Sequence, residues 1–159
     1  MTRGLVLGKF APFHRGHQLL IERSLTECDC TVVLVYESRE VTRVPLAVRS
    51  GWIRKRYPDV TVVEGSDAPS ASGHDPMVMS MQEEYIASVV PLPVTHFFSS
   101  EWYGAHVSAS LGALDVRVDE ARVIAPISAT MIRSNPRSFS DWIDPDVLRD
   151  VLEWDLPGP

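Results

Sequence analysis

Gly8-Lys9-Phe10-Ala11-Pro12-Phe13-His14-Arg15-Gly16-His17 is the stretch on which the reading of this chain turns. It follows Leu5–Leu7, a short apolar run that reads as a buried strand ending at Gly8. It precedes Arg15–Leu25, where Leu19, Leu20, Ile21 and Leu25 fall on roughly one helical face. A strand that turns through glycine into a helix is a natural anion site, because the first helical amides lack intrahelical partners. Gly8 permits a sharp turn and a close approach to a ligand. Pro12 stiffens the loop, and Gly16 removes a side chain at the helix start, where free amides are expected. His14 and His17 lie about one turn apart, so both imidazoles can face one anion. Lys9 and Arg15 add positive charge. Gly8, Phe10, Pro12, His14, Gly16 and His17 would coincide by average residue usage at a rate on the order of 10⁻⁸ to 10⁻⁹ per start position, so the segment reads as a phosphate site rather than a chance loop.

Working outward, strand and helix patterns alternate. Thr31–Tyr36 is β-branched and apolar, a second buried strand. Ala47–Arg56 is a helix stopped before Pro58. Val60–Val63 is a third strand, and Ser66–Pro76, rich in Ser, Ala, Pro, Gly and Asp, is a loop. Met77–Val90 is a helix ended by Pro91, His96–Ser99 a fourth strand, and Tyr103–Leu111 a helix with Gly112 as C-cap. Asp115–Val118 is a fifth strand. Short helical pieces follow near Ala129–Arg133, Phe139–Trp142 and Pro145–Leu152. The alternation predicts an α/β fold over 1–159 as a single domain: a Rossmann-like doubly wound sheet, mostly parallel, of about five strands, with short C-terminal helices. Ligands on such sheets bind beyond the carboxyl ends of the strands, at the switch point.

Composition narrows the function classes. The 159 residues suit one core, and 45% hydrophobic with 23% charged residues is ordinary for a globular chain. No apolar run can span a bilayer. The first eight residues read as a strand rather than a signal peptide, so the cytoplasm is the expected compartment. Cys28 and Cys30 stand too close along a strand to pair and lack a second C-x-C, which points to reduced thiols. A net charge of −6 argues against bulk nucleic-acid binding but not against a small anion held by local cations. Arg54-Lys55-Arg56 reads as a solvated helix end, and His74, His96 and His106 show no metal spacing. Trp142 and Trp154 are expected to pack the C-terminal helices onto the core. The oligomeric state is left open, a homo-oligomer included.

Ile127-Ser128-Ala129-Thr130-Met131-Ile132-Arg133-Ser134-Asn135-Pro136 is the second informative segment. Pro126 and Pro136 bound a helix of about two turns, Ser128 is a good N-cap, and the helix start with the Thr130 hydroxyl suits phosphate oxygens. Arg133, one turn on, supplies a planar, permanently charged donor.

Gly8-x-Phe10-x-Pro12-x-His14-x-Gly16-His17 resembles the signature of the HIGH-type nucleotidyltransferase superfamily, and Ile127-Ser128-x-Thr130-x-x-Arg133 its I-S-x-T-x-x-R motif. With His96–Glu101, Leu111-Gly112, Val118-Asp119, Arg122 and the stretch Val44-Pro45, Arg49, Trp52, the chain is most similar to the adenylyltransferase domain of the bifunctional bacterial nicotinamide mononucleotide (NMN) adenylyltransferase/ribosylnicotinamide kinase. The likeness runs from about Gly4 to about Pro145 and is loose between Ser66 and Val90. The kinase part is expected to be absent, since the chain ends at Pro159 and holds no P-loop motif. The resemblance implies AMP transfer from ATP to NMN, or to an NMN-like phosphorylated acceptor, giving NAD and pyrophosphate. A cytidylyltransferase, another acceptor, or a nucleotide sensor without turnover are the alternatives. It implies His14, His17, Lys9 and Arg133 as the catalytic set. Gly8, Phe10, Gly16, Ser99, Ser100, Glu101, Ser128 and Thr130 would bind ATP, and Arg49, Trp102 and Met77 the acceptor. Mg²⁺ would arrive with ATP, held by phosphates and water rather than by protein ligands. Where that family carries loop tryptophans that hold the nicotinamide end, this chain has His74-Asp75-Pro76-Met77-Val78-Met79, read as lacking an aromatic ring; Trp102 is the residue that can supply the missing face or simply pack a helix start.

Overall fold

The strands alternate their apolar side chains between two buried faces, and the helices sort accordingly. In a computed structural model that describes residues 1–155, strands β1 (Arg3–Gly8), β2 (Cys30–Tyr36), β3 (Thr61–Gly65), β4 (His96–Ser99) and β5 (Leu114–Arg117) form one sheet of order β3-β2-β1-β4-β5. Every pairing is parallel, with Leu5 opposite Val32 on one side and Phe97 on the other. The expected "mostly parallel, about five strands" is therefore met by five parallel strands.

Helices α1 (Arg15–Glu27), α2 (Leu46–Arg56), α5 (Ala129–Ser134) and α6 (Pro145–Trp154) share a core with Val6, Val33, Val35 and Phe98. Helices α3 (Pro76–Val89) and α4 (Gly104–Leu111) cover the opposite face through Leu5, Val32, Leu34, Tyr36 and Phe97. This division follows from right-handed crossovers: β1-α1-β2-α2-β3 winds one way, and the chain then crosses to β4 beside β1 and winds the other. The carboxyl ends of β1 and β4 form the switch point. At Gly4 a Cβ would run into Ser24 of α1 and the Phe98 ring, so this glycine lets α1 lie close on β1.

Element boundaries fall within two residues of the expected ones at most ends. The 3₁₀ turn Ser140–Trp142 and α6 end the described chain. Trp142 packs against the core as expected, whereas Trp154 is exposed: it lies beyond Val151, the last α6 side chain buried in the core. Both cysteines are half-buried free thiols. Among the described residues, no helix is long and apolar enough to cross a membrane.

Candidate active site

The switch point opens into a cavity of about 520 Å³. Its phosphate-loop side is built by an unusual helix cap. His14 is the N-cap of α1, in extended conformation, and its Nδ1 accepts a hydrogen bond from the Gly16 amide at 3.0 Å. His17, three residues on, returns the favour: its Nδ1 accepts from the His14 amide at 3.1 Å. The pair is a capping box in which imidazoles stand where Ser or Thr and Glu usually stand. The Gly16 amide is thus engaged rather than free, and the need for glycine is steric: a Cβ there would sit 2.8 Å from His14 Cε1.

This cap decides the tautomers. A backbone amide can only donate, so Nδ1 of both rings is an acceptor, and the neutral rings carry their proton on Nε2. The rings stack, with centroids 3.8 Å apart and planes inclined at 26°, and both line the cavity. Burial, with the Arg122 guanidinium as a second cause, pushes the His14 pKa down to about 4. Burial, then His14 and then Arg122, holds His17 well below its ordinary value. The site therefore presents two neutral Nε2–H donors at pH 7.

Phe10 makes the turn that the sequence assigned to Gly8. It adopts a left-handed φ of 49°, while Gly8 has no positive φ and a Cβ there would make only ordinary contact. The Phe10 ring is buried, 4.7 Å from the His17 ring, which fixes both. Lys9 lines the cavity with its ammonium 3.2 Å from Glu40. Arg133 lines it too; one nitrogen donates to the Ala11 carbonyl at 2.7 Å and another to the Thr130 hydroxyl at 3.3 Å, which ties α5 to the phosphate loop. Ser128 caps α5 by accepting from the Met131 amide and lines the cavity with Thr130. Helix α5 runs over six residues, one beyond the expected Ala129–Arg133.

Arg122 belongs to the site although the sequence did not single it out for a role. Asp119 accepts hydrogen bonds from the amides of Val123, Ile124 and Ala125, and both Asp119 and Arg122 have left-handed φ, at 50° and 54°. The folded loop turns Arg122 into the cavity, where it donates to the Ile127 carbonyl at 2.7 Å and to Glu101 at 2.8 Å. A cation in a short polar segment carries no periodicity, so only the Asp119 turn signal could have flagged it.

Three expected ligand contacts are not brought to the cavity. Arg49 is fully buried, and its guanidinium is spent on the carbonyls of Val44, Lys9 and Tyr36 and on Glu37 at 2.9 Å. It buttresses the floor of the phosphate loop instead of facing an acceptor. Met77, in the first turn of α3, points to solvent, and Met79 lines the cavity in its place. Ser99 is buried beneath Gly104, with an Oγ that has no hydrogen-bond partner, whereas Ser100 and Glu101 do line the cavity. The middle loop does contribute a ring: the His74 imidazole lies 3.9 Å from the Trp102 ring centroid at 32°, and His106 follows at 5.6 Å on Trp102. The expectation that this loop lacks an aromatic ring is corrected by the His74 imidazole.

No known protein-family profile matches the chain. Over 33 residues, 21% of this chain and 19% of that protein, it is 54% identical to a nicotinamide-nucleotide adenylyltransferase of Halobacterium salinarum. The solved structures most like it include the NadR protein in complex with NR (TM-score 0.64, 20% identity, covering 93% of this chain and 44% of that one). A bifunctional NMN adenylyltransferase/ADP ribose pyrophosphatase from Francisella tularensis superposes with TM-score 0.64 at 13% identity, covering 96% of this chain and 50% of that one. The chain thus spans about half the length of these structures and about a fifth of the curated relative. What the chain shares with these structures over nearly its whole described length is their Rossmann-like fold.

Proposed function

We propose that this chain is a nucleotidyltransferase domain that moves AMP from ATP to NMN, giving NAD and pyrophosphate. The observation that carries the reading is the pair of neutral Nε2–H imidazoles sharing one cavity with Arg122, Arg133, Lys9 and Thr130. Such a set suits a polyphosphate: donors and fixed cations converge, and no nucleophilic side chain is required, because the acceptor phosphate is itself the nucleophile. Relatives in sequence and fold that bear NMN adenylyltransferase names support the same reading, and one neighbouring structure, of NadR, holds NAD and AMP-PNP.

In this account the acceptor phosphate attacks the α-phosphorus in line, the α–β bridging bond breaks, and pyrophosphate leaves. His14 and His17 donate to oxygens whose charge grows in the transition state. Arg133, with the Thr130 hydroxyl beside it, holds the leaving pyrophosphate. Arg122 neutralises the triphosphate from the other wall, and Lys9 exchanges Glu40 for a phosphate oxygen. Mg²⁺ enters as part of the Mg·ATP substrate, coordinated by phosphates and water, as suits a small hard cation that keeps most of its water. The cytoplasm, where ATP is plentiful, is the compartment that suits the chemistry.

Pyrophosphate release with Mg·ATP or Mg·CTP against NMN, nicotinate mononucleotide and other phosphorylated acceptors tests this. Turnover is expected with ATP and NMN. Turnover confined to CTP or to an acceptor without a pyridine ring contradicts the substrate assignment, and ATP binding without turnover of any pair contradicts the enzyme.

A further inference from the structure

The cavity straddles the sheet, and its two walls differ in chemistry. The phosphate-binding cations and imidazoles come from α1 and α5 and the loops on one face. The opposite wall comes from the Ser66–Pro76 loop and from α3 and α4: His74 tilted against Trp102, His106 stacked on Trp102, and Glu83 behind His106. A pyridinium ring suits this wall, because its positive charge is attracted to an indole face and to nearby carboxylates. Neutral adenine has no such preference.

The Glu83–His106 pair adds a polar instruction. His106 Nδ1 lies 2.9 Å from Glu83 Oε1. A carboxylate only accepts, so Nδ1 carries the proton, and in the neutral ring Nε2 is left with a lone pair. The ring lines the cavity, and Nε2 has no hydrogen-bond partner among the described residues. His106 is thus the inverse of His14 and His17: a held acceptor where they are held donors. We propose that His106, oriented by Glu83, reads the substituent on the acceptor's ring and selects a carboxamide, whose NH₂ can donate to Nε2, over a carboxylate, which has nothing to donate. This rests on the adenylyl-transfer reading and names the residue that sets its acceptor specificity.

A site built to accept from a substrate N–H disfavours the analogue lacking it, since the lone pair then meets another acceptor. The test is kcat/KM for NMN and for nicotinate mononucleotide at saturating Mg·ATP, in the unchanged chain, in His106→Ala and in Glu83→Ala. The unchanged chain is expected to favour the carboxamide acceptor by about 100-fold or more. His106→Ala should lower kcat/KM for NMN by about 10- to 100-fold, change that for the carboxylate acceptor far less, and leave the KM for ATP unchanged. Glu83→Ala, which frees the tautomer, should narrow the preference in the same direction. An acceptor preference unaltered in both variants overturns the inference while leaving adenylyl transfer standing. A raised KM for ATP with unaltered acceptor preference overturns it as well, by assigning the wall to adenine. No turnover of either acceptor by the unchanged chain overturns the adenylyl-transfer reading, and this inference with it.

Discussion

At the scale of single residues, the site depends on two imidazoles that stay neutral because they are buried beside a cation. A His14 pKa of about 4 in the folded chain, against an ordinary 6.5, means that the unfolded chain binds a proton the native one refuses across that interval. Stability therefore rises with pH between about 4 and 6.5 and is lost as pH falls through that window. Each tenfold in proton affinity is worth about 1.4 kcal/mol, so His14 alone lowers stability by about 3 kcal/mol at the acid end. Urea unfolding at pH 7 and pH 4.5 measures this; equal midpoints would show that the rings are not held neutral. Arg122 contributes to the depression of both pKa values. Arg122→Met should move the His14 titration, followed by imidazole proton NMR, upward from about 4 without reaching the ordinary value, because burial is the larger cause. A titration that stays put or moves down would remove Arg122 from the site. That His14, Gly16 and His17 act together was legible because their spacing at a helix start brings them together, as the structure shows. The direction of each ring was not, because it depends on which amide each Nδ1 meets.

At the scale of elements, the strand–loop–helix unit from β1 to α1 is held from below. Arg49, on the buried side of α2, gathers three carbonyls and Glu37 and joins the strand β2 end to the phosphate loop. Arg49→Ala leaves those groups buried without their donor and should destabilise the fold by about 3 kcal/mol, an expectation that chemical denaturation checks. A loss below about 0.5 kcal/mol, with a raised acceptor KM, would restore the ligand-binding role that the sequence suggested. The elements themselves were readable, since alternating apolar runs, proline stops and the Gly112 cap mark their ends locally. Arg49 was misread for the reason that long-range contacts are always hidden: V-P-x-x-x-R spacing shows that an arginine is placed, not whether it faces ligand or backbone. The pairing of His74 with Trp102 was not legible, because the two stand 28 positions apart (102 − 74) in a loop and at a helix start.

At the scale of the whole molecule, a chain of net charge −6 keeps its cavity cationic by gathering Lys9, Arg122 and Arg133 where the two windings of the sheet meet. Ligand bound there touches elements from both faces, so it should stabilise the chain as a unit. Mg·ATP at about 100 times its Kd is expected to add about 2.7 kcal/mol, seen as a thermal shift that Arg133→Ala abolishes. A shift unchanged in that variant would place the nucleotide elsewhere. The mostly parallel sheet and a cavity beyond the carboxyl ends of its strands were legible from strand–helix alternation, whereas the order β3-β2-β1-β4-β5 was not, because pairing between strands distant in sequence leaves no local mark. Of the cavity's far wall, α3, α4 and Trp102 were legible, but the contacts of His74 and His106 with Trp102 were not, since they join a Ser/Pro/Gly-rich loop to α4 and its start in a way no local pattern marks.

In the proposed reaction the role of His14 and His17 is to act as neutral donors to a transferring nucleotidyl group. The measurement that meets it most directly is NAD formation from Mg·ATP and NMN, at saturation, by the unchanged chain and by His17→Ala. The unchanged chain is expected to form the dinucleotide, and the variant to show a kcat lower by about 10²-fold or more with ATP still bound. A variant that makes NAD at the rate of the unchanged chain would contradict it.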